Sequence, residues 1–323
     1  MILIADSGST KTDWCLIQGK ETVLNFTTQG INPFHQSSEE ITNILKKEAF
    51  SLLTAQETKQ DINGIKSNST KEKSTITKEN PDTPNHTKNL FAPQQTKDKI
   101  QSFIEEIFFY GAGCTKEKSG IVSTALHEVF SQTTTIEVNS DMLGAARALC
   151  GNQPGIICIL GTGSNSCYYD GQQIVSNIPP LGYILGDEGS GAALGKRLVG
   201  DCLKKLLPKE ICERFLARYQ LTQPEIIEKV YRQSMPNRFL AGLSRFLYEN
   251  RHEECLRKLL IECFSDFIRR NLLQYPVANL FFTGSIAYYY ANELKEAAAL
   301  YQRPVASITQ RPMEGLITYH TKK

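Results

Sequence analysis

A chain of 323 residues, 41% of them apolar, can bury a large core, and its length fits two ordinary domains better than one. Its acids and bases nearly balance at a formal charge of +2, with no basic block and no aromatic-interleaved Lys/Arg stripe, which argues against nucleic acid as a partner. No apolar stretch approaches the roughly 18 residues needed to span a bilayer, and Met1 to Asp6 lacks the basic region of a signal peptide, so a cytoplasmic protein without a membrane partner is expected.

The apolar run at the N-terminus reads as a first β-strand, and strand-like runs with turn chemistry continue to an amphipathic helix candidate at 38–47. Residues 55–98 change character. They are rich in Lys, Thr, Asn, Ser, Gln and Pro, with isolated Ile and Leu at neither helical nor strand period, the composition of a disordered surface insertion. Structure is expected to resume with a helix-like segment at 100–106 and the apolar strand Ile107-Phe108-Phe109-Tyr110, which closes the first domain. From about residue 116 the order reads helix, strand (135–138), helix (142–149) and a hairpin at 156–169. A mainly helical stretch follows from Gly191 to Leu273, and then a strand at 280–283. Strands mixed with helices and separated by glycine turns indicate an α/β protein with its sheets covered on their faces. Nine cysteines are scattered without CxxC spacing, which fits a reducing compartment and gives little support to zinc or iron–sulfur ligation.

Between two apolar strands lies Asp6-Ser7-Gly8-Ser9-Thr10-Lys11-Thr12-Asp13. A Walker A loop would enter a helix, whereas this turn runs into a second strand and is therefore a β-hairpin. Its backbone N–H groups and hydroxyls can cradle phosphate oxygens, and Asp6 at the strand's carboxyl end can hold Mg²⁺ through water. A polar turn with Asp6 in purely local hydrogen bonds is the competing reading. The same syntax recurs about 150 residues later, where Ile156 to Leu160 leads into Gly161-Thr162-Gly163-Ser164-Asn165 and a second strand. Recurrence suggests duplicated domains that each present a phosphate-binding hairpin.

Asp141 stands where a strand meets the Ala-rich segment Met142 to Leu149. A phosphoryl acceptor hydroxyl needs a carboxylate within hydrogen-bond reach, although Asp is also a favoured helix N-cap. The block from Leu181 through Gly182, Gly186-Asp187-Glu188-Gly189-Ser190-Gly191 to Gly195 brings glycines and acids together in a way that suits sugar hydroxyls, with helix capping by Asp187 as the alternative. Phe281-Phe282-Thr283-Gly284-Ser285 is a strand, turn and helix start that can receive a nucleotide.

In combination, these segments resemble the phosphate and adenosine motifs of the superfamily of acetate and sugar kinases, heat-shock chaperones and actin. Within it, GTGSN, GDEGSG, the Asn-Ser-Asp before the Ala-rich helix and Arg238 to Leu243 resemble the N-acetylglucosamine kinase branch of the BadF/BadG/BcrA/BcrD-type ATPase family. That resemblance covers nearly the whole chain except 55–98. It implies two ribonuclease H-like domains around a central cleft, at 1–115 and 116–310, with a C-terminal helix at 311–323 returning to the first. It further implies ATP and Mg²⁺ as cofactors and an amino sugar phosphorylated at O6 as substrate, while a second copy of the chain as partner is left open. Gly8, Ser9, Thr10, Lys11, Gly161, Thr162 and Gly163 would meet the phosphates, and Ala241, Gly284 and Ser285 the adenosine. Asn32, Asp141, Asn165, Gly182 and Asp187 would contact the sugar, Asp141 also serving as base and Asp6 as metal ligand. Leu181 stands where the vertebrate kinase has a tryptophan, so the sugar pocket wall differs. The alternatives are an ATPase activator of a 2-hydroxyacyl-CoA dehydratase, for which Cys158 would have to serve an iron–sulfur cluster, and a non-enzymatic actin-like nucleotide switch.

Overall fold

The computed structural model describes residues 1–8, 10–53 and 104–322. The insertion expected at 55–98 lies outside them, as does the start of the helix expected at 100–106, while Glu106 is found to open a strand. The chain divides into two compact units, Met1–Asp141 and Met142–Lys323.

In the first unit β1 (Ile2–Ser7), β2 (Lys11–Gln18) and β3 (Glu21–Gln29) form an antiparallel meander, and β4 (Glu106–Gly111) and β5 (Thr135–Ser140) add in parallel beside β1. The sheet order is β3-β2-β1-β4-β5. Strand alternation sends Leu3, Ala5, Trp14, Leu16, Ile107 and Phe109 into one core, where they meet Ile41 and Leu45 and the buried face of α2 (Ser119–Val129). Trp14 anchors that core. It is 1% exposed, stacks on Phe26 at 5.8 Å and donates its indole N–H to Thr28 at 2.9 Å, so its truncation to alanine is worth about 3–5 kcal/mol. Helix α1 (Ser38–Ile44) starts at a capping box, Ser37 accepting the Glu40 N–H and Glu40 accepting the Ser37 N–H, and continues through a π-helical turn at Leu45–Ala49.

Helix α3 (Asp141–Cys150) leads into the second unit, where β6 (Gly155–Leu160), β7 (Ser164–Tyr169), β8 (Ile174–Ile178), β9 (Leu280–Thr283) and β10 (Val305–Thr309) form a sheet of order β10-β9-β6-β7-β8. Read from β8, this is the order of the first sheet, again with an antiparallel meander and two parallel additions. One face carries α3, whose Met142, Ala145 and Ala146 pack on Ile157, Cys167 and Tyr169. After the short α4 (Gly182–Leu185), which buries none of its residues, the large core takes α5 (Gly191–Leu203), α6 (Lys209–Tyr219), α7 (Gln223–Tyr231), α8 (Pro236–Glu249), α9 (Glu254–Arg270), α10 (Ser285–Tyr289) and α11 (Ala291–Leu300).

The domain boundary falls at 141/142 rather than 115/116, because β5 hydrogen-bonds to β4 as the fifth strand of the first sheet. The C-terminal helix is α12 (Met313–Thr321), which packs on α3. Gly315 lets it lie against the Ala148 carbonyl of α3, and Arg147 covers the Tyr319 ring at 5.3 Å.

Candidate active site

In both units the candidate residues gather at the carboxyl edge of the sheet, where parallel strands release their ligand-binding loops. Ser7, Gly111 and Ser140 are in register across β1, β4 and β5, so the turn after Ser7, Gly113 and Asp141 emerge side by side. Asp6 is half-buried at the end of β1. The turn is braced from within: the Gly8 N–H donates to the Lys11 carbonyl at 3.0 Å, the Gly30 N–H to the Thr10 carbonyl at 3.1 Å, and Ser7 bonds both Thr12 and Ile31. Ser9 lies outside the described residues. The Lys11 ammonium is held by Asp13 at 2.6 Å rather than by the turn.

The same bracing delivers Asn32, whose Oδ1 accepts the Phe34 N–H at 3.0 Å and whose own N–H donates to Gln36 at 2.7 Å. Gly113, at φ +80, admits the Asn32 side chain, since a Cβ there would overlap it. Asp141 is the first residue of α3, and its charge joins burial in pushing the neighbouring Cys114 thiol up to about 12, burial being the larger cause.

In the second unit Gly161, Thr162, Ala241 and Ser285, separated by as much as 124 residues (285 − 161), line one cleft of about 690 Å³. Gly284 permits the approach of β6 and α10. It has φ +110, and a Cβ would collide with the Leu160 carbonyl. Gly191 and Gly195 do the same for α5 and α8: a Cβ at Gly191 would sit 3.1 Å from that of Ala241, and one at Gly195 would overlap the Leu240 carbonyl. Beyond Arg238 to Leu243, which the sequence singled out, the far wall adds Arg245, Tyr248, Glu249 and Tyr289, which it did not. Tyr248 packs edge-on against Tyr289 at 5.5 Å, and Arg245 is braced by Glu249 at 2.8 Å. Arg238, Ala241, Gly242, Arg245, Tyr248 and Glu249 recur at helical steps along α8, a periodicity that could have revealed this face.

The Gly-Asp-Glu-Gly loop is tied to the second hairpin. Asp187 accepts the Ser164 N–H at 3.3 Å, and a Cβ at Gly163 would lie 2.9 Å from its Oδ2. Burial pushes the Asp187 carboxyl above its ordinary range, against the opposing pull of that N–H. Asp187 is not the cap of α5. Ser190 is, accepting the Ala193 N–H at 3.1 Å. Asn165 turns its Oδ1 to the Ser166 N–H and to Asn177, both at 2.9 Å, and Gly182 starts α4 at φ +72. Cys158 is fully enclosed in β6, and burial raises its thiol well beyond the ordinary range. No helix among the described residues is long and apolar enough to cross a membrane.

Two units, each built on this strand order with a glycine-hydroxyl turn at the carboxyl edge, define the two-domain fold of the actin-like ATPases and sugar kinases. A Porphyromonas gingivalis protein provisionally assigned as an N-acetylglucosamine kinase is 42% identical, with 100% of this chain and 99% of that chain covered and a TM-score of 0.82. The chain belongs to the family of that protein. A Chromobacterium violaceum protein with the same provisional assignment shares the fold at 19% identity, 98% coverage of both chains and a TM-score of 0.65. No family model and no curated protein matches the chain.

Proposed function

We propose that this protein is a cytoplasmic amino-sugar kinase that transfers the γ-phosphoryl group of ATP to O6 of N-acetylglucosamine or N-acetylmuramate. The observation that carries this reading is the cleft itself, which unites a phosphate-type turn at Gly161 and Thr162 with Ala241 and Ser285 in a volume suited to a nucleotide. The 42% identity to the Porphyromonas protein supports the sugar as acceptor.

In this reading the main-chain groups at Gly161, Thr162 and Gly163 and the turn from Gly8 to Lys11 position the phosphates, while Gly284 and Ser285 face the adenosine. Asn32, Asn165, Gly182 and Asp187 orient the sugar. Asp141 accepts the proton of the sugar hydroxyl as the new P–O bond forms and ADP leaves, a step in which positioning and electrostatics supply most of the catalysis. Asp6, half-buried at the end of β1, would hold Mg²⁺ through water, since that ion keeps most of its hydration shell. When bound, the ion would neutralise phosphate charge.

A coupled assay of ADP release over a panel of hexoses and amino sugars tests the proposal. N-acetylated hexosamines should give the highest kcat/KM, because a site built to pair the acetamido group leaves polar groups unpaired with glucose. Glucose matching or exceeding them would remove the amino-sugar assignment, and ADP release unaffected by any sugar would favour the nucleotide switch.

A further inference from the structure

The loop that presents Asp187 is held in a conformation that it would not adopt unaided. Asp187 itself is left-handed at φ 56, Gly189 follows at φ 70, and a Cβ on Gly186 would overlap the Pro180 carbonyl. Left-handed backbone at a residue other than glycine persists only where the surroundings over-determine it. Three bonds act on Asp187 directly: its N–H to Pro180 at 2.9 Å, the Ser190 N–H to its carbonyl at 3.1 Å, and the Ser164 N–H to its carboxylate.

The residues after it are clasped by the last turn of α9. Glu188 Oε1 meets Arg270 Nε at 2.9 Å, and its Oε2 accepts from Asn271 Nδ2 at 3.3 Å. Asn271 is 6% exposed and also donates to the Phe267 carbonyl at 3.2 Å, so it is a fixed bracket. Gly189 seats on the same helix, with room for no Cβ, which would come 2.9 Å from that of Phe267.

We propose that Arg270 and Asn271 are positioning residues for Asp187: by gripping Glu188 they hold the turn whose carboxylate faces the sugar. This rests on the reading of Asp187 as a sugar contact. Stability alone does not account for the arrangement. The Arg270 side chain is 58% exposed, and an ion pair at that exposure contributes little to folding. A carboxylate at a helix C-terminus is also unfavourable unless a cation accompanies it. Without Arg270, the Glu188 charge would stand unneutralised both at the end of α9 and beside Asp187.

Steady-state kinetics with N-acetylglucosamine and ATP test the clasp in Arg270→Ala, Arg270→Lys, Glu188→Gln, Asp187→Asn and the double variant Asp187→Asn with Arg270→Ala. Arg270→Ala and Glu188→Gln should each raise the sugar KM about tenfold with kcat within about twofold and the ATP KM unchanged, the signature of lost ground-state positioning. Arg270→Lys should restore most of the loss. In the Asp187→Asn background Arg270→Ala should add nothing, since its effect runs through Asp187. A normal sugar KM in Asp187→Asn would overturn the underlying reading of that residue. A raised KM in Asp187→Asn with a normal one in Arg270→Ala would overturn the clasp alone, as would additive effects in the double variant or an equal loss of all parameters alongside thermal stability.

Discussion

The Asp187 carboxylate accepts the Ser164 N–H at 3.3 Å and roofs Gly163, so close that a methyl group there would strike it. The turn proposed to hold phosphate and the loop proposed to hold sugar thus share a contact. Because the Gly191 and Ala192 N–H groups also donate to the Gly161 and Thr162 carbonyls, at 2.8 and 3.1 Å, α5 begins on the same turn.

Asp187 should carry a stability cost that depends on pH. Burial raises its carboxyl above the ordinary value, so the folded protein holds this proton more tightly than the unfolded chain does. Its contribution is most favourable in acid, below the ordinary value, and declines as pH rises through the raised one. Asp187→Asn keeps an oxygen for the Ser164 N–H but removes the charge. It should therefore melt higher than the parent protein at neutral pH, with the difference shrinking towards acid, while its sugar KM rises. Thermal scans across pH check this; a difference that grows in acid would contradict the burial argument.

Asp141→Asn should lower turnover by about 10²–10⁴-fold, the usual contribution of a general base, with ATP affinity unchanged. Were Asp141 only a helix-starting residue, Asn would serve nearly as well. Turnover, ATP titration and melting temperature measured on the same preparation separate the two roles.

Gly242 sits in the interior of α8 and lines the cleft proposed for the nucleotide, and a Cβ there meets nothing within 4 Å. Gly242→Leu should stabilise the helix by up to about 1 kcal/mol. The same side chain should obstruct the cleft and weaken ATP binding by about tenfold or more, equivalent to roughly 1.4 kcal/mol. Calorimetric titration with a non-hydrolysable ATP analogue, beside a denaturation curve, would show the opposite signs. Unchanged nucleotide affinity would place the nucleotide elsewhere.

Gly284→Ala should cost stability and nucleotide affinity together, because the left-handed backbone and the Leu160 carbonyl both reject a Cβ. A loss of about 1–3 kcal/mol is the scale of such strain. Denaturant unfolding measures it, and a neutral result would mean that β6 and α10 separate easily.

Much of this was legible in the chain. The two strand-turn-strand units around Gly8 and Gly161 are recognisable because a glycine-hydroxyl turn between two apolar runs leaves few options but a hairpin. The strand from Ile107 to Tyr110 and the helices after Gly191 were equally clear from their apolar patterns. The domain boundary was not, because nothing in Thr135 to Ser140 says which sheet it will join; that depends on its pairing with β4. Short β8 and β10, with mixed and partly exposed residues, carry no strong strand signal. Tyr248 and Tyr289 were missed for another reason. Each looks like an ordinary core aromatic, and only the packing of α8 and α10 turns them to one cleft.

The contact of Gly195 with the Leu240 carbonyl makes the gap between two helices a dimension written in a missing methyl group. Leu240 is followed by Ala241, which borders the cleft proposed for the nucleotide, so the depth to which α8 sinks against α5 bears on the width of that cleft. Relatives that carry alanine or serine at this point would have to hold α8 farther out, and their clefts would be correspondingly wider. Under the proposed function, the room left for a phosphoryl donor would then change through one small residue that does not line the cleft.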